Sequence, residues 1–100
     1  MSKKSGVTSV IGQFCVVRTV NAGVHMGFVQ SQKGSEVTLT DSRRLWKWTE
    51  AFTLHEVSQK GVGKDSRISN PVPMILLLDA IEIIPCSESA GKNLQQSRNN

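Results

Sequence analysis

Three short β-type segments joined by glycine-bearing turns fill residues 13–40, and no other pattern in the chain limits its fold as strongly. Gln13 to Val20 (QFCVVRTV) is rich in valine and closes at Asn21-Ala22-Gly23. Val24 to Ser31 (VHMGFVQS) then alternates, with Val24, Met26 and Phe28 on one face and His25, Gly27 and Val29 on the other. Ser31-Gln32-Lys33-Gly34 supplies a second turn, its glycine able to take a positive φ. Ser35 to Thr40 (SEVTLT) alternates most cleanly, placing Val37 and Leu39 inward. Successive strands with tight connections predict an antiparallel meander.

Thr53 to Lys60 reads as a two-turn helix. Thr53 and Glu56 have capping-box spacing, Leu54 and Val57 share a face, and Gly61 ends it. Gly61 to Asn70 is a polar loop. Val72 to Pro85 becomes apolar again and reads as two strands with a tight turn near Asp79-Ala80, although one continuous buried strand or a short helix also fits the pattern. The fold class expected is mainly β with a short helix: a small bent antiparallel sheet, or an SH3-like or Sm-like barrel that hides its strand edges. Residues 12–86 form the single β-rich domain. Residues 1–11 read as a flexible N-terminal tail and 87–100, rich in Ser, Gln and Asn, as a polar C-terminal tail. A core of about 75 residues is small enough that a homo-oligomer is expected.

Catalytic constellations are scarce. His25 and His55 stand 30 positions apart with no clustered carboxylates, so no metal or general-base site is expected. No serine elbow, phosphate loop or dinucleotide fingerprint occurs. Cys15 and Cys86 lie in apolar segments and read as inert, reduced thiols. The longest apolar stretch, Met74 to Leu78, is too short to cross a bilayer, and no secretory signal follows Lys3-Lys4. The expectation is a soluble, intracellular, non-enzymatic protein that needs no cofactor and has no membrane partner.

Binding chemistry is better represented. Asp41-Ser42-Arg43-Arg44-Leu45-Trp46-Lys47-Trp48 gathers three cations and both tryptophans of a chain with no tyrosine. Guanidinium groups take phosphate oxygens bidentately and an indole offers a stacking face, so a nucleotide suits this set. On an extended backbone Arg44, Trp46 and Trp48 share one face, while Arg43, Leu45 and Lys47 share the other. The competing reading puts one tryptophan in the core or makes the segment a subunit interface. Arg18 interrupts an apolar strand and could aim at an anion. Asn21-Ala22-Gly23 could present backbone N–H groups, and His25 could read a polar edge. The net charge of +4 favours an anionic partner mildly.

The strings Val17-Arg18-Thr19, Ala22-Gly23-Val24-His25-Met26-Gly27, Gly34-Ser35-Glu36-Val37-Thr38-Leu39, Arg43-Arg44-Leu45-Trp46-Lys47-Trp48 and Asp79-Ala80-Ile81-Glu82-Ile83-Ile84-Pro85-Cys86 resemble a widespread, mostly uncharacterised family of small tailed-phage and prophage proteins. The resemblance spans roughly residues 14–90. Ser42 and Lys47 depart from it, standing where the family usually has an alanine and an aromatic. It implies phage origin and the cytoplasm of an infected bacterium. By analogy with small phage sponges, it implies sequestration of a cyclic oligonucleotide or ADP-ribose-derived messenger of bacterial immunity. Arg18, Arg43 and Arg44 would then hold phosphates, Trp46 or Trp48 would stack on a base, and Asn21 and His25 would read polar edges. The alternative is an Sm-like or SH3-like module that binds single-stranded nucleic acid or a host protein.

Overall fold

The computed structural model of the chain describes residues 9–48, 51 and 53–97. Strands β1 (Phe14–Thr19), β2 (Val24–Lys33) and β3 (Glu36–Lys47) form the antiparallel meander that the alternation predicts. The second turn is tighter than expected, because β2 runs on to Lys33 and pairs it with Glu36, leaving Gly34 at φ 59° to reverse the chain. The arginine–tryptophan segment is no separate element: β3 continues through it to Lys47. Helix α1 (Leu54–Lys60), strands β4 (Arg67–Ile68), β5 (Val72–Leu77) and β6 (Ala80–Pro85), and helix α2 (Glu88–Gln96) follow.

The six strands lie in one antiparallel sheet in the order β4-β3-β2-β1-β6, with β5 also paired to β3. The sheet curls until Ile75 and Leu77 of β5 and Ile83 of β6 share one apolar cluster with Cys15, Val17, Val29, Val37 and Leu39. This small bent sheet does not close as a barrel. β5 pairs with β3 and β6 with β1, and no pairing among the described residues joins β5 to β6.

The opposite sheet face carries Phe14, Val16, Met26 and Leu45, packed with Val57, Val62, Ile68 and Leu94. Helix α1 forms as its sequence requires: the Thr53 hydroxyl accepts from the Glu56 amide at 3.2 Å, Lys60 pairs with Glu56, and Gly61 caps the end at φ 79°.

The expected polar tail from residue 87 is corrected by α2. Its apolar content is small, but Ala90 and Leu94 fall four apart on one face and are fully buried. The polar residues around them serve the helix. Ser87 accepts from the Ala90 amide and donates to the Gln59 carbonyl at 2.7 Å, tying the N-terminus of α2 to the end of α1. The Asn93 amide accepts from Val62 N at 2.9 Å and donates to Val62 O at 3.2 Å, so it mimics one rung of a sheet. Residues 98–100 of the expected C-terminal tail, and residues 1–8 of the N-terminal one, lie outside the described residues. Val10 already packs against the enclosed core.

If α2 is an integral layer, Leu94→Ala should lower unfolding stability by about 2–4 kcal/mol in urea titrations. A change within about 0.5 kcal/mol would indicate a loosely attached segment.

Candidate functional site

One irregularity in β3 arranges the charged residues. Across the β2–β3 ladder Phe28 faces Thr40 and Met26 faces Arg43, so Gly27 is opposed by both Asp41 and Ser42. This is a β-bulge. Asp41 takes φ 49°, a left-handed conformation that aspartate tolerates better than most residues. Gly27 lets the strands approach: a Cβ there would lie 2.9 Å from the Thr40 carbonyl oxygen and 3.2 Å from Ser42 Cα.

The bulge decides which face each of the two arginines takes. Arg43 turns to the helix side and is 5% exposed. Its Nε donates to Ser69 O at 2.8 Å, and its Nη1 donates to Leu94 O at 2.9 Å and Gln95 O at 3.2 Å. A cation at these carbonyls satisfies orphan acceptors and opposes the negative end of the helix dipole. Arg43 therefore clamps α2 to the sheet, and its buried guanidinium does not face the ligand groove.

Arg44 turns to the other side, opposite His25. Its guanidinium lies over Gly23, whose missing side chain makes room: a Cβ there would come within 2.9 Å of Nη2 and 3.1 Å of Nε. The ion pairs among the described residues leave Arg44 unengaged. Beside it His25 is 6% exposed, and its Nε2 donates to the Ala22 carbonyl oxygen at 2.8 Å, which leaves Nδ1 as the acceptor of the neutral ring.

The intervening loop is tightly held. Thr19 Oγ1 donates to Gly23 O and accepts from Ala22 N, both at 2.8 Å. Asn21 N donates to Asp79 Oδ2 at 2.9 Å, and Val20 N to Asp79 O at 3.1 Å. Asp79 thus binds the β5–β6 turn to the β1–β2 loop. Sequence reasoning placed it only in a turn, although it is one of two carboxylates, with Glu82, that interrupt the apolar run from Met74 to Ile84.

These residues line a groove of about 580 Å³, with Asn21, Ala22, His25 and Arg44 on one side and Ile75 to Asp79 on the other. Its volume is typical of small-molecule sites. A second concavity of about 280 Å³, between the 61–66 loop and α2, holds Lys64 and the already engaged Asn93. It contains none of the residues singled out from the sequence.

Three of the seven expected ligand residues, Asn21, His25 and Arg44, therefore converge. The other four do not. Arg18 lies on the far face of β1 and pairs with Glu82 at 2.9 Å. Arg43 is the helix clamp. Trp46 is 57% exposed but does not line the groove. Trp48, just past the end of β3, returns to the helix-side core and so leaves the face expected for it. The ladder to β4 shifts register between Leu45 and Lys47, which breaks the alternation that would have kept the two indoles together.

The remaining chemistry is quiet. Burial pushes the Cys15 thiol up to about 11 and the Cys86 thiol up to about 12, so neither is a ready nucleophile. Among the described residues no cluster of His, Cys, Asp and Glu could hold a metal ion, and no helix is long and apolar enough to cross a membrane.

Burial lowers the His25 pKa below the ordinary 6.5. Arg44 acts in the same direction, while the Ala22 carbonyl and Asp79 oppose it. On acidification the unfolded chain takes up this proton first, so the His25 contribution to stability is present above about pH 6.5 and lost below it. Urea titrations of wild type should show stability falling below that pH, with a shallower slope in His25→Gln. Arg43→Ala should cost about 3 kcal/mol because it strands buried carbonyls, whereas Arg44→Ala should change stability by less than about 0.5 kcal/mol.

Residues 12–94 match the model of a family described as a domain of unknown function (DUF6948), and the chain belongs to that family. No curated protein and no solved structure matches it.

Proposed function

We propose that this member of the family is a non-catalytic binding protein whose groove takes a nucleotide-type second messenger. The observation that carries the reading is the convergence of Arg44, His25 and Asn21 on one groove beside an aliphatic wall. Arg44 supplies a guanidinium for one phosphate. His25 Nδ1 accepts from a ligand N–H or O–H, and Asp79 Oδ1, on the carboxylate that Asn21 N already engages through Oδ2, can accept a second. Leu76 and Leu78, the exposed leucines of its lining, offer an apolar surface to a sugar or base. One cation and one carboxylate suit a ligand of low net charge better than a polyphosphate.

The finer reading follows the resemblance to phage proteins. In it the protein acts in the cytoplasm of an infected bacterium as a sponge, lowering the free concentration of a cyclic oligonucleotide or ADP-ribose-derived immune messenger without altering it. Arg43 and Trp48 have no part in this version, because both are committed to the helix side.

A separate observation favours the single-stranded nucleic-acid reading. Trp46 is exposed beside Lys47, and Lys47 pairs across the ladder with exposed Arg67. An exposed indole offers a base-stacking face, and the two cations at the same strand end can meet backbone phosphates. Binding there would weaken steeply with salt and strengthen with strand length; groove binding would do neither.

The test is a calorimetric and thermal-shift screen of the full chain against cyclic di- and trinucleotides and cyclic ADP-ribose isomers. A selective rise in Tm of several degrees is expected, with unmodified ligand recovered after denaturation. Arg44→Ala should abolish the shift while the protein stays folded, and Trp46→Ala should leave it intact. Recovery of a hydrolysed ligand would replace the sponge with an enzyme.

A further inference from the structure

We propose that the bare outer face of β5 is the docking site for a second copy of this chain, making the protein a two-fold dimer. Val72, Met74, Leu76 and Leu78 are 45%, 62%, 54% and 63% exposed. Between them Ile75 and Leu77 already pack into the enclosed core, while Pro73 at the strand's start is exposed, so the outer four are surplus to that core.

The register shows which sheet face this is. Met74 stands opposite Thr40, Thr40 opposite Phe28, and Phe28 opposite Phe14. At Phe14 and Phe28 this face is packed by the helix-side core, which includes Val57 of α1 and Leu94 of α2. At β5 nothing among the described residues covers it.

Charge and area identify the occupant. No residue from Val72 to Leu78 is ionisable, and the neighbours on β3, Thr38 and Thr40, are neutral. A two-fold contact sets a patch against its own copy, so any charge on it would meet its like. This patch has none. Its four apolar side chains expose on the order of 400 Å², the size of the largest apolar patch on an ordinary monomer, which is often functional. Thr38 and Thr40, half-buried beside it on β3, bring the patch to roughly 500 Å² per copy. Two copies then bury about 1,000 Å², the size of a weak, reversible interface. The dimer does not rest on the ligand reading, although Leu76 and Leu78 also border the groove and would place the partner beside it.

Sedimentation of the full chain without ligand, from about 1 to 200 μM, tests this over the range where an interface of this size assembles. The expected result is a species of twice the 11.0 kDa chain mass. Met74→Asp and Leu76→Asp should each weaken it by at least about tenfold with an unchanged circular dichroism spectrum, because both side chains are exposed in the single chain. Thr40→Lys, which places a charge beside the stripe without altering β5, should act in the same direction. A wild type that sediments at 11.0 kDa throughout overturns the proposal and leaves the stripe to a different partner. A dimer that all three substitutions leave unchanged overturns it equally.

Discussion

The bulge at Asp41 and Ser42 opposite Gly27 is the constraint on which the rest of this structure depends. Strict alternation from Val37 and Leu39 would send Arg43 into the enclosed aliphatic core, where a guanidinium finds no acceptor. One extra residue reverses the parity. Arg43 then reaches the carbonyls that end α2, and Arg44 reaches the concave side beside His25. Two requirements make the shift possible: a residue at position 41 that tolerates φ 49°, and the absence of a side chain at position 27.

Adjacent residues of the same type thereby acquire unrelated tasks. Burying Arg43 carries a desolvation cost, which three charge-assisted hydrogen bonds offset. The result is local order, because α2 is a short helix with little apolar surface and depends on such polar anchors. Arg44 stays near the surface with Gly23 beneath it, available to a ligand. The two helices cover the sheet near β1 and β2 and stop short of β5. That leaves an aliphatic face bare, and this stripe adjoins the groove at Leu76 and Leu78.

The three leading strands, the turn before β6 and the cap of α1 were legible in the sequence because each is set by neighbouring residues: alternation, a glycine, a hydroxyl three positions before an amide. Helix α2 was not legible. Its one leucine and its Ser, Asn and Gln residues have the composition of a tail, and what orders it is a set of contacts to Val62, Ser58, Gln59 and Arg43 from elsewhere in the chain. The two-residue strand β4 is equally invisible, since its pairing to Leu45 and Lys47 is its whole definition. For the groove, Asn21, His25 and Arg44 could be singled out by residue type. Asp79, which holds the two loops together, could only be noticed as a carboxylate in an apolar run.

By itself the sequence determined a meander, a capped short helix and a polar cluster rich in arginine and tryptophan, because period-2 patterning and capping act within a few residues. Tertiary structure decided how that cluster was shared out. The bulge sent Arg43 inward and Arg44 toward His25, and the register shift at β4 returned Trp48 to the core while leaving Trp46 in solvent. Alternation along a strand names the two faces. Only packing across strands can say which face closes, which opens onto a groove, and where the parity changes.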